Sequence, residues 1–194
     1  MITLKEYLEL DHRCPWYTKY YEELGLPDTR REEDKTLIVE YNKALIEKYP
    51  WLLPRNRWTG KVSPEFNYSH TELDSMPEGW RIAFGEQMCE EIQQVLLHAQ
   101  ELDPETNYVD NFRILDIKEK YGTLRFYCGS APEEVYNIIN KYEKLSESVC
   151  IRCGKQPTKW MTQWWISFYC EDCKNELEAN EDFRDSFILI EEDK

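Results

Sequence analysis

The chain has 194 residues, 41% of them hydrophobic and 14% aromatic, enough for one moderate domain or a domain plus a small appendage. Its apolar runs are only four or five residues long, far short of a membrane span, and MITLKEYLELDHR gains charge before any apolar run develops, so neither membrane insertion nor a signal peptide is expected. A cytoplasmic location follows, where disulfides are disfavoured, and the formal net charge of -14 argues against general nucleic-acid affinity.

In chain order, residues 2–49 read as helix in pieces, broken near Cys14-Pro15 and Gly25-Leu26-Pro27. In the last piece Leu37, Tyr41, Ala44, Leu45 and Lys48 keep helical spacing until Pro50 ends it. Residues 49–80 carry four prolines and several aromatics, which predicts a long ordered connection that wraps the body or lines a cleft. Residues 85–102 predict an amphipathic helix with Met88, Cys89, Ile92, Val95, Leu96 and Ala99 on its apolar face. FRILDIKEKYGTLRFYC, residues 112–128, reads as a hairpin in which Leu124 and Phe126 face the core, Arg125 and Tyr127 face away, and Gly122 supplies a left-handed turn residue. A second helix over 132–147 opens on Pro132, Glu133 and Glu134, where the helix dipole favours acids. The order of elements is an α+β pattern: a body over 1–147 with 1–45 helical, a small module over 148–180, and an acidic tail over 181–194.

The module is the part that carries chemistry. Cys150-x-x-Cys153 and Cys170-x-x-Cys173 stand sixteen residues apart, within four-cysteine zinc spacing. Two residues between thiols let one tight turn aim both sulfurs at a single ion, and two such turns complete a tetrahedron. Gly154 suits such a knuckle, the strand-forming TKWMTQWWISFY suits a short hairpin, and the helix-forming run after Cys173 completes a treble-clef or ribbon-like unit. Four thiolates close the coordination, so the expected Zn2+ is structural. Residues 150–174 have a formal charge of +2, which a zinc tetrathiolate of about -2 cancels. From Glu171 onward ten acidic residues face three basic ones, half of the total imbalance, and read as a solvated helix and frayed end or as an acidic docking surface.

Other candidates are fewer. His12, His70 and His98 are scattered, outside any protease or nucleophile pattern, and Cys14, Cys89 and Cys128 sit beside apolar neighbours as inert thiols. SHTELD places Glu72 and Asp74 near His70, an acid/base cluster or simple turn and cap chemistry. Lys118, Lys120 and Arg125 would share one hairpin neighbourhood, with Arg55 or Arg57 as possible additions, in an otherwise acidic molecule.

The blocks Tyr49-Pro50-Trp51-Leu52-Leu53-Pro54-Arg55, Gly79-Trp80, Lys118-Glu119-Lys120-Tyr121-Gly122-Thr123-Leu124-Arg125-Phe126-Tyr127 and the two Cys-x-x-Cys pairs resemble a group of small proteins of unassigned function from bacteria, phages and prophages. The likeness spans roughly residues 45–175 and implies a cytoplasmic, metal-stabilised protein of a mobile element that acts on host machinery, as an anti-defence protein or nucleic-acid mimic. The reading is therefore an interaction protein with a protein partner, acting by binding, with Lys118, Lys120, Arg125, Trp164 and Trp165 as candidate contacts. The competing readings are a nucleic-acid-binding regulator that uses the aromatic zinc hairpin, and an enzyme centred on His70, Glu72 and Asp74.

Overall fold

The computed structural model describes residues 2–10, 24, 30–163, 165–179, 183 and 186–190. His12, Cys14, Trp164 and the breaks expected near 14–15 and 25–27 lie outside the described residues.

Thr3 caps helix α1 (Leu4–Glu9) through a reciprocal box with Glu6, and Tyr7, the buried residue of α1, stacks on Tyr41 of α2 (Glu32–Lys48) with ring centroids 4.4 Å apart. Beyond α2 the proline-rich connection has two 3-10 turns, Pro50–Leu52 and Glu72–Ser75, and sends Tyr49, Trp51, Leu52, Leu73, Met76 and Trp80 into the core. It is core and cleft wall at once.

A helical turn (Glu78–Trp80), a π-turn (Arg81–Gly85) and α3 (Glu86–Leu102) follow without interruption. α3 buries Met88, Cys89, Ile92 and Leu96, as the periodicity predicts. It also buries Gln93, whose Oε1 accepts from Trp51 Nε1 at 2.7 Å, because a buried indole N–H needs a partner.

Strands β1 (Ile114–Lys120) and β2 (Thr123–Cys128) pair antiparallel, with a bulge between Ile114 and Asp116. Both turn residues, Tyr121 and Gly122, have positive φ, 55° and 78°, the left-handed pair whose twist suits a two-residue hairpin. An L-residue resists that region, and the turn is held there by Glu119, whose carboxylate accepts from the Gly122 amide at 2.6 Å. Leu124 and Phe126 are buried against helix α4 (Glu133–Ser146), which also packs on α3. α4 then shields the outer edge of β2: the Leu124 amide donates to Ser146 Oγ at 2.9 Å and the Phe126 amide to Glu143 Oε1 at 3.0 Å. Side chains of a helix thus take the place of a third strand on an otherwise bare edge.

The C-terminal module has its own sheet in the order β4-β3-β5, from Phe168–Tyr169, Trp160–Thr162 and Phe187–Leu189, with helix α5 (Glu171–Glu178) between β4 and β5. The acidic stretch is helical where expected over α5, but Phe187–Leu189 is a paired strand and not a solvated end. β3 offers this segment an edge to pair with, and Phe187 packs edge-on against Tyr169 at 5.5 Å, where charge averaging assigns the segment to solvent. The described residues mix helices with small antiparallel sheets, an α+β fold.

Candidate metal centre and the binding face beside it

Cys150, Cys153, Cys170 and Cys173 bring their sulfurs within 4.8 Å of one another, with Cys153 and Cys170 Sγ 3.5 Å apart. A tetrahedral tetrathiolate with bonds near 2.3 Å spaces its sulfurs by about 3.8 Å, so the set is of the right size to hold one metal ion. The first pair is shaped by a tight turn in which the Gly154 amide donates to the Cys150 carbonyl at 2.9 Å and Gly154 takes a φ of 77°. The second pair opens α5, with Cys170 as its N-cap residue and Cys173 in its first turn. Burial pushes the Cys150 thiol up, but backbone amides of Cys170, Cys153 and Arg152 outweigh it and hold the group below the ordinary thiol value.

This centre is fastened to the body by backbone. The Gly79 amide donates to the Ile151 carbonyl at 2.9 Å and Trp80 Nε1 to the Val149 carbonyl at 3.1 Å, while within the module the Ile151 amide donates to the Phe168 carbonyl of β4 at 3.0 Å. Gly79 is the close-approach point: a Cβ there would stand 2.2 Å from the Cys150 carbonyl oxygen. Gly154 faces it from the other side, its own Cβ position only 2.6 Å from the Gly79 carbonyl oxygen. Backbone atoms cannot give way as a flexible side chain does, so Gly79→Ala should cost about 3 kcal/mol, measured by urea unfolding. A loss below about 0.5 kcal/mol would mean that the knuckle does not rest on this helix. Neither glycine's partner can be read from local sequence; Gly79-Trp80 stands out there only as a short block.

The hairpin meets the module at its turn. A Cβ on Gly122 would lie 2.7 Å from the Phe168 ring, and Trp165, 70% exposed, donates from Nε1 to Glu119 Oε2 at 2.9 Å. On the solvent face of the hairpin Lys118 is the cross-strand partner of Arg125, Lys120 lies one step nearer the turn, and Tyr127 stands opposite Asp116. Arg57 joins this face by donating to Asp116 at 2.9 Å, and Lys118 pairs with the same carboxylate. The structure thus gathers Lys118, Lys120, Arg125 and Arg57, and sets Trp165 at the turn end of the face.

Two adjoining clefts, of about 340 and 490 Å³, are cut into the proline-rich connection and share Arg55 and His70. Arg57, Trp58, Glu72 and Ser75 line the smaller one. Burial pushes the Glu72 carboxyl up and the His70 imidazole down, so both resist carrying charge. Asp74 is not part of this wall. Its Oδ1 accepts from Tyr7 at 2.8 Å and pairs with Arg81, its Oδ2 accepts from the Thr71 amide at 2.6 Å and hydroxyl at 3.0 Å, and the Asp74 and Arg81 side chains are each only 2% exposed. The acid/base trio suggested by SHTELD is therefore split: His70 and Glu72 face the cleft, whereas Asp74 caps a turn and anchors α1 and the π-turn. Trp58, on the rim of the same cleft, has no part in the sequence reading, although a tryptophan in the polar run RNRWTGK is the signal that could have found it.

No protein-family model, no curated protein and no solved structure matches this chain.

Proposed function

We propose that the chain is a non-catalytic interaction protein in which Cys150, Cys153, Cys170 and Cys173 hold one structural Zn2+ and the hairpin face receives a macromolecular partner. The observation that carries this reading is the convergence of four sulfurs within 4.8 Å at a junction bonded by backbone to Gly79. Four thiolates suit zinc and leave no coordination position for water or substrate, which favours a clasp over a catalytic metal. Knuckle, hairpin and helix follow one another as in a treble clef, and the helix start supplies two of the ligands. The clasp positions Trp165 and the turn of β1 and β2, so metal binding and the partner face are one unit. A cytoplasmic setting, and a mobile-element origin as the resemblance implies, agree with this role.

Elemental analysis of protein purified without added metal should find one zinc per chain, and Cys173→Ser should abolish it. Metal-free protein with a fully protected C-terminal module would refute the clasp.

A further inference from the structure

Resting on that reading of the hairpin face, we propose that its partner is single-stranded nucleic acid. Four aromatic rings are exposed to solvent here or on the adjoining cleft rim: Trp58 is 95% exposed, Trp165 70%, Tyr121 67% and Tyr127 46%. Cations lie next to them. Lys118 sits 5.5 Å from the Tyr127 ring centre, Lys120 5.5 Å from that of Tyr121, and Arg57 immediately precedes Trp58. Rings that accept stacked bases, alternating with cations that meet phosphates, are what an unpaired strand requires. A duplex keeps its base faces stacked inside, where these rings cannot reach them. An acidic peptide would engage the cations and leave the four rings without a role.

The net charge of -14 does not forbid this. Half of it lies from Glu171 onward, outside the hairpin sequence, and at physiological ionic strength screening limits the reach of each exposed charge to about 8 Å. The acids at the face are already engaged: Asp116 is held by Arg57 and Lys118, and Glu119 by the Gly122 amide and Trp165. Among the described residues Lys120 and Arg125 form no ion pair; Arg125 Nη1 donates to the Leu124 carbonyl at 2.8 Å, which leaves Lys120 and the rest of that guanidinium to meet phosphates. With only a few such contacts, stacking must supply much of the affinity.

The test is fluorescence anisotropy of the zinc-loaded full chain with labelled twelve-nucleotide oligo-dT and oligo-U, a duplex of equal length, and a polyglutamate peptide. The single strands should bind at least about tenfold more tightly than the duplex. Their affinity should fall with salt at a log–log slope between about -1.4 and -2.1, as for two or three phosphates on a single strand. Trp58→Ala should weaken binding by roughly five- to a hundredfold, and Lys120→Ala with Arg125→Ala should flatten the salt slope. Trp58 and Lys120 are exposed and Arg125 is half-buried on the outer face of the hairpin, so zinc content should match the parent protein and thermal melting should change little. Absence of strand binding at low salt, parent-like binding by the variants, or equal binding of polyglutamate would overturn the proposal. A failed clasp would show instead in the metal content, before any strand is added.

Discussion

Chelating the ion from the four thiolates is expected to unfold residues 148–190 and to release the edge of the body on which they rest. The strands of this module hold three, two and three residues, far too little to stand alone. Zinc contributes roughly 10–16 kcal/mol to the folding of comparable peptides, which exceeds anything so small a sheet can supply. Without the ion, four thiolates within 4.8 Å repel one another or take up protons, and the Gly154 turn loses its purpose. Hydrogen exchange should show amides of β3, β4 and α5 losing protection on chelation, together with the Gly79 amide that bonds Ile151. Those of β1, β2 and α4 should keep theirs, since Leu124, Phe126, Val135 and Ile139 belong to the main core. Unchanged protection and unchanged thiol reactivity after the metal is stripped would refute the expectation.

The second large effect concerns Asp74. Replacing it with alanine leaves Arg81 buried without its counter-charge, and should cost about 3–5 kcal/mol in urea unfolding. Asp74→Leu combined with Arg81→Met should recover much of that loss, because neither charge is then stranded. Burial pushes the Asp74 carboxyl up, but Arg81, the Thr71 amide and the Tyr7 hydroxyl together outweigh it and hold the group below the usual carboxylate range. A depressed folded-state value means that the unfolded chain takes up the proton more readily. The contribution of Asp74 is therefore complete above the unfolded value near about 3.9 and disappears as pH falls through the lower folded value. Asp74→Asn should flatten the acid limb of stability below about pH 4. A single alanine variant within about 1 kcal/mol of the parent would show that the pair does not hold the π-turn in place.

By itself the sequence determined the elements whose pattern is local. The spacing of Met88, Cys89, Ile92 and Leu96 specifies α3, the alternation around Gly122 specifies the hairpin, and the two Cys-x-x-Cys pairs specify the sulfur cluster. Each signal repeats within a few residues, so no distant partner is needed to interpret it. Tertiary structure alone decided the rest. Gly79 is indispensable only because a knuckle seventy residues later lies against it, and Asp74 left its apparent site because Arg81 and Tyr7 reached it first. Phe187–Leu189 became a strand because β3 offered an open edge, against the acidity of its neighbours. Strand alternation had already turned Arg125 and Tyr127 outward, but long-range approach, burial and edge pairing leave no periodic trace in sequence, and they brought Arg57 and Trp165 to the hairpin.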